Sequence, residues 1–190
     1  MCVILSTWKH KDVRKLWNFC LRKQIFIIIY VAGQGGGLES VMEIKKGKLV
    51  MELLVETYPD RIVEMDSELG HVKMIPFGGT VQSDLFNGII EPCGVDTQVT
   101  NQAGVRHMSA RYMLTGKDSD GQDCHIYLEN NAYFTNGERP KPWISAPAFI
   151  TDSEKLAPYL HRNQFIGEGM REEDGYLHIR YYEILHEVKA

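Results

Sequence analysis

The sequence predicts an all-β protein, a single antiparallel β-barrel of about eight to ten strands with one short helix. Three observations carry that expectation. From Leu49 onward, short runs rich in β-branched and aromatic residues alternate with turn signals at the intervals typical of antiparallel folds. Within 71–98 the glycines Gly78, Gly79, Gly88 and Gly94 interrupt strand-forming residues, which reads as kinks and turns. Only SEKLAPYLHR, 153–162, reads as helix: Asp152 or Ser153 caps it and Pro158 keeps it short. Closing such a set of strands into a barrel removes exposed sheet edges.

Taken in order, residues 1–41 read as an extension and 42–190 as the barrel domain. Lys9 to Lys23 is basic, and the apolar run IFIIIYVA follows at 25–32, before GQGGG at 33–37. That order is similar to a signal peptide, but the run is short, lacks an A-x-A site, and falls far below the roughly 20 residues that span a bilayer. A weakly ordered extension is therefore preferred to secretion or membrane attachment. Met42 opens a fresh register, MEIKKGKLVMELLVET, of the kind that begins a first strand, and the mature domain is expected from there. The predicted strands are 49–57, 61–66, 71–77, 79–91, 95–101, 105–116, 123–134, 146–151, 164–172 and 176–185. The polar turn KDSDG at 117–121 makes 105–134 the clearest hairpin, and EEDG at 172–175 closes another.

Charge and cysteine usage narrow the functional classes. Net charge is −4, yet residues 1–23 carry six Lys or Arg against one Asp, a balance of +5, which leaves 24–190 at −9. An acidic body argues against nucleic acid as a partner. Cys2, Cys20, Cys93 and Cys124 show neither CxxC nor zinc-ligand spacing, so no disulfide framework and no metal site is expected. Reduced thiols in a cytoplasmic protein follow. GxSxG, P-loop, GxGxxG and HExxH motifs are all missing, and no cofactor is expected.

Candidate site residues come from strand parity. On 105–116 one face carries His107, Ser109 and Arg111, and on 123–134 one face carries His125, Tyr127 and Glu129. Two arrangements satisfy these polar faces. Either they are solvated, with Arg111 and Glu129 forming a cross-strand ion pair, or they line a polar cavity where Arg111 holds a carboxylate and a His or Glu moves a proton. Asn130 continues the apolar face of its strand, so its amide needs either a structural partner or a ligand. Asp96 and Gln98 lie two apart and point the same way.

In order along the chain stand GGT at 78–80, the Gly88 turn, GVDTQ at 94–98, ARYML at 110–114, IYLEN at 126–130, SAPAF at 145–149 and YLHRNQFIGEG at 159–169. With these motifs, residues about 49–185 resemble the domain-of-unknown-function 3237 family, the uncharacterised UPF0311 proteins. The resemblance implies one antiparallel β-barrel, a bacterial or fungal source and no established general activity. It places Asp96, Gln98, Arg111 and Asn130 at the family's polar positions. The chain departs from the pattern at Thr97, where the family has Trp, at Ala132, where Gly follows the Asn, and at Ile150, where an acidic residue is usual.

Together these readings predict a small-molecule-binding barrel whose polar residues converge on one cavity. The expected ligand is anionic or carbonyl-bearing, and the expected chemistry is metal-free proton transfer. Asp96 is the candidate catalytic base, Arg111 the anion clamp, Gln98 and Asn130 hydrogen-bond donors, and Glu129 and His107 further ligand contacts. The alternative is a non-catalytic protein with a packed barrel that homo-oligomerises.

Overall fold

The computed structural model describes residues 26–32, 38–135, 139–162 and 164–189. The basic segment Lys9 to Lys23 and the GQGGG stretch lie outside the described residues. Among the described residues ten strands appear in chain order: β1 (Phe26–Ala32), β2 (Leu38–Thr57), β3 (Val63–Ser67), β4 (Gly70–Gln82), β5 (Phe86–Asn101), β6 (Arg106–Asp118), β7 (Asp123–Phe134), β8 (Trp143–Thr151), β9 (Phe165–Arg171) and β10 (Leu177–Lys189). One α-helix, α1 (Ala157–Leu160), follows β8. The chain divides into a large unit, Lys48–Glu183, and a small one made of Met1–Gly47 and Ile184–Ala190. In the small unit β1 runs antiparallel to the first part of β2, from Phe26 opposite Lys45 to Ala32 opposite Leu38. The described part of the apolar run, Phe26–Ala32, is this strand.

The large unit is a closed antiparallel barrel of eight strands, in the order β2, β10, β9, β8, β7, β6, β5, β4. Closure comes from β4, which is shared between two partners. Its first part, Gly70 to Met74, pairs with β3, and its last part, Phe77 to Gln82, pairs with β2. Its register against β5 shifts between Phe77 and Gly79, the extra residues lying on β5, and Gly79, within the stretch paired with β2, has a φ of +138°. A Cβ at Gly79 would stand 2.0 Å from the Leu54 carbonyl oxygen of the closing strand. The seam therefore needs glycine for both conformation and space.

The continuity of β4 across Gly78 and Gly79 corrects one sequence expectation. The Gly-Gly pair does not separate two strands, as the division into 71–77 and 79–91 assumed, but lies inside β4. The reversal falls instead at Ser83 to Leu85, where the Ser83 hydroxyl accepts from the Leu85 and Phe86 amides at 3.1 and 2.9 Å. The helix is also shorter than 153–162: Ser153 Oγ donates to Asp118 Oδ2 and accepts from the Leu156 amide, capping a turn over 154–156 that leads into it. The two expected hairpins form as read, β6 with β7 from Arg106 opposite Phe134, and β9 with β10 from Arg171 opposite Leu177.

Parity sorts the side chains. On β6, Met108, Ala110, Tyr112 and Leu114 are buried, and on β7, Cys124, Ile126, Leu128 and Asn130 are buried. These residues face the barrel interior together with Leu53, Val81, Phe86, Phe149 and Tyr181. The fold explains a simple stability expectation. Gly79→Ala should lower the melting temperature well beyond Gly104→Ala or Gly121→Ala, whose added methyl meets nothing within 4 Å and pays only the positive-φ strain of about 1–2 kcal/mol. Thermal melting of the three variants checks this, and equal losses would show that the seam tolerates a side chain.

Candidate functional site

The bulge in β5 between Ile90 and Val95 sets the register of the strand's second half, and that register builds a transverse row across three strands. Asp96 lies opposite Ala110, and Ala110 lies opposite Asn130. All three side chains point inward. With neighbouring strands about 4.8 Å apart, Asp96 and Asn130 stand roughly 10 Å from each other across the small Ala110 methyl. The space above that methyl is part of a cavity of about 220 Å³, also lined by Gln98, Met108, Tyr112, Arg139, Trp143, Arg171, Ile179 and Tyr181. Such a volume exceeds the roughly 150 Å³ that holds benzene in an engineered apolar cavity and falls short of the roughly 300 Å³ where drug-sized pockets begin. One aromatic ring with its substituents fits it.

The polar groups of the row are incompletely satisfied. Gln98 Nε2 donates to Asp96 Oδ2 at 2.6 Å, while Asp96 Oδ1 is shut off from solvent with no partner among the described residues. Asn130, 2% exposed, likewise leaves Oδ1 unpartnered. Burial pushes the Asp96 carboxyl above its ordinary range, against the opposing pull of the Gln98 bond and of the Arg139, Arg106 and His107 charges. Burial also pulls Arg139 down, partly offset by the Asp96 charge. The Arg139 guanidinium lies over Trp143 at 5.4 Å and Phe134 at 5.8 Å, which holds it at the cavity by cation–π contact.

The wall opposite β5 depends on two glycines of β9. A Cβ at Gly169 would fall 2.2 Å from the Trp143 indole, and one at Gly167 would fall 2.9 Å from the Tyr181 ring. The Gly-x-Gly spacing therefore lets Trp143 and Tyr181 lie flat against the strand. Further along the barrel the Tyr112 and Tyr181 hydroxyls meet at 2.5 Å, and burial raises both phenols well above their ordinary range.

Of the residues singled out in the sequence, Asp96, Gln98 and Asn130 line this cavity. Arg111, Glu129 and His107 do not. They lie on the opposite face of the sheet, because odd positions of β6 and β7 point outward wherever Met108, Ala110 and Asn130 point inward. Arg111 is half exposed and pairs with Glu129 at 3.0 Å. Asn131 and then Arg111 hold the Glu129 carboxyl below its ordinary range. His107 stacks on Tyr133 at 4.4 Å and meets Asn131 Oδ1 at 3.1 Å. The expected convergence of Arg111 with Asp96 is thus corrected by parity, and the solvated-face arrangement describes these three. Sequence reasoning missed Arg139, Arg171, Tyr112, Trp143 and Tyr181. The even parity of Tyr112 with Ala110 was the one available signal. Among the described residues no group of three or more His, Cys, Asp or Glu side chains is placed to hold a metal ion, and no helix is long and apolar enough to cross a membrane.

The model of the family described as Protein of unknown function (DUF3237) matches residues 45–184. The chain belongs to this family. A UPF0311 protein of Clostridium acetobutylicum is 33% identical over 75 residues, which span 39% of this chain and 45% of that protein. The chain thus matches about half the length of that curated relative. Solved structures share the fold. A β-barrel-like protein of Acinetobacter baumannii superposes with a TM-score of 0.57 at 23% identity, covering 75% of this chain and 96% of that one. A protein of unknown function from Clostridium acetobutylicum gives 0.56 at 24% identity over 76% and 99%. A structure described as an enzyme from Penicillium herquei gives 0.52 at 18% identity over 82% and 100%. Thr97, Ala132 and Ile150 do not line the cavity.

The raised Asp96 carboxyl has a measurable consequence for stability. A folded-state value above the ordinary 3.8 means that the folded protein binds this proton more tightly than the unfolded chain. The associated stability is complete below about pH 3.8 and is lost as pH rises through the folded-state value. Asp96→Asn should therefore melt at a higher temperature than the parent at neutral pH and show a shallower decline with rising pH. Melting curves from about pH 4 to about pH 8 test it, and parallel declines would show that the carboxyl is not desolvated.

Proposed function

We propose that the barrel binds a small carboxylate- or carbonyl-bearing molecule over Ala110 and that Asp96 transfers a proton on it. The observation that carries this reading is the Asp96 carboxyl itself. One oxygen is oriented by Gln98, the other is buried without a partner in a residue that lines the cavity, and burial raises the carboxyl above its ordinary range. A carboxyl held in this way serves as general base when ionised and as general acid once protonated. Asn130 sits across the Ala110 methyl, where its amide can bond a ligand heteroatom. Arg139 takes the part of anion clamp that the sequence assigned to Arg111, because its guanidinium lines the cavity and Arg111 lies outside it.

The open cavity favours ligand binding over a barrel packed solid for association alone. A fold relative described as an enzyme is consistent with a scaffold that carries chemistry, although at this distance fold does not transmit activity. Native mass spectrometry of the purified protein is the direct search for a ligand. For the proton transfer, the protein is incubated in heavy water with single-ring ketones and keto acids, and deuterium uptake at the carbon next to the carbonyl is followed by nuclear magnetic resonance. The parent should accelerate uptake above buffer, and Asp96→Asn should lose roughly 10²–10⁴-fold of that acceleration. Arg139→Met should weaken the keto acids while sparing the neutral ketones, whereas Arg111→Met should leave both unchanged. Acceleration that survives Asp96→Asn would remove the carboxyl from the chemistry, and sensitivity to Arg111→Met would reinstate the outer face.

A further inference from the structure

We infer that the Tyr112–Tyr181 pair is a hydrogen-bond-donating seat for an oxygen of the ligand, a carbonyl or an enolate, at the end of the cavity away from Arg139. The inference rests on the reading of the cavity as a ligand site, and it does not require Asp96 to transfer a proton.

Both phenols line the cavity, and both are buried, Tyr181 at 0% and Tyr112 at 5% exposure. Their hydroxyl oxygens stand 2.5 Å apart, and among the described residues each hydroxyl finds its hydrogen-bond partner in the other. Two hydroxyls carry two protons, and only one proton fits between the oxygens. The second O–H must point elsewhere, and a buried donor left without an acceptor costs about 1–3 kcal/mol. Facing the cavity, it is satisfied by a ligand oxygen or by a water that such an oxygen displaces. Because that hydroxyl also accepts from its partner, the chain of two bonds polarises it and strengthens it as a donor. Ionisation is no alternative, since burial holds both phenols protonated at neutral pH.

Placement agrees with the rest of the site. Tyr112 lies two residues beyond Ala110 on the same face of β6, about 7 Å along the strand from the Asp96–Asn130 row. That interval is the length of a single ring with one substituent. The donors are held before any ligand arrives: Phe77 packs edge-on against Tyr112 at 5.2 Å, and Phe149 edge-on against Tyr181 at 5.4 Å. One fixed donor, strengthened by the hydroxyl behind it, with a titratable carboxyl across the ring space, selects a carbonyl compound over an apolar molecule of equal shape.

The test uses acetophenone as probe and ethylbenzene, its apolar isostere, as control, on the full chain. Affinity is measured by calorimetry, and the carbonyl stretch of bound acetophenone by infrared spectroscopy. In the parent the stretch should lie at lower frequency than in the Tyr112→Phe/Tyr181→Phe double variant. Acetophenone affinity should fall by roughly three- to tenfold in the double variant, the value of one neutral hydrogen bond, while ethylbenzene binds at least as well. Either single Tyr→Phe variant should retain most of the affinity, because the remaining phenol turns its only proton to the ligand. Equal acetophenone affinity and an unshifted stretch in the double variant, with both probes bound, would overturn the seat and leave the cavity reading standing. Failure of the parent to bind either probe would overturn the cavity reading and the seat with it. The substitution keeps both rings, and circular dichroism confirms that the barrel is intact before the comparison is made.

Discussion

Everything in the large unit depends on the joint between β2 and β4. Without the pairing of Leu54 and Val55 with Thr80 and Gly79, the sheet of eight strands would stay open along two edges. No interior would then exist to hold a cavity. β4 leaves β3 after Met74 and pairs with β2 from Phe77, and within that joint Gly79 takes a conformation that other residues avoid and brings no side chain against the Leu54 carbonyl. Closure also determines the orientation of every other strand. Once the ring is shut, each residue of β5, β6 and β7 is committed to inside or outside by parity, and a slip of one position would turn Asp96 and Asn130 out and Arg111 in.

That commitment explains which parts of the site could be read from the chain alone. Asn130 interrupts an apolar face, and Asp96 and Gln98 share a side of one strand, so their common destination follows from local alternation. The same alternation, carried one step further, separates Arg111 and Glu129 from Asn130, since the register sets Arg111 beside Glu129 and Ala110 beside Asn130. Grouping Asp96, Gln98, Arg111 and Asn130 by their positions in a family pattern overrode what parity already implied. The hairpins were legible for the same local reason, a polar turn between two alternating runs. The division at the Gly-Gly pair was not, because a bulge and a turn use the same residue type and differ only in what lies across the seam.

The rest of the site comes from contacts that no local pattern encodes. Tyr112 and Tyr181 are 69 residues apart, and they meet only because β6 and β10 face each other across the closed interior. Trp143 and Gly169 pair across β8 and β9, and the missing Cβ of Gly169 reads in the sequence as flexibility while in the barrel it is the space for an indole. Arg139 stands outside regular secondary structure, in a stretch whose polarity suggests a solvated loop, yet its guanidinium rests on two aromatic rings at the cavity.

Orphaned polar atoms alone do not select a site. Ser109 Oγ and Ser145 Oγ are also buried without partners, and Ser109 lies on the face of β6 that points away from the cavity. What distinguishes Asp96 and Asn130 is that both residues, on different strands, line one cavity across the Ala110 methyl and each leaves an oxygen without a partner. If that space existed only to be filled, larger residues at Ala110 would close it and apolar residues at 96 and 130 would relieve a cost of about 1–3 kcal/mol for each unsatisfied group. The barrel instead keeps the gap, the carboxyl and the amide together. A molecule that bonds to both is the economical way for those three features to coexist, since its arrival repays the desolvation that folding alone leaves outstanding.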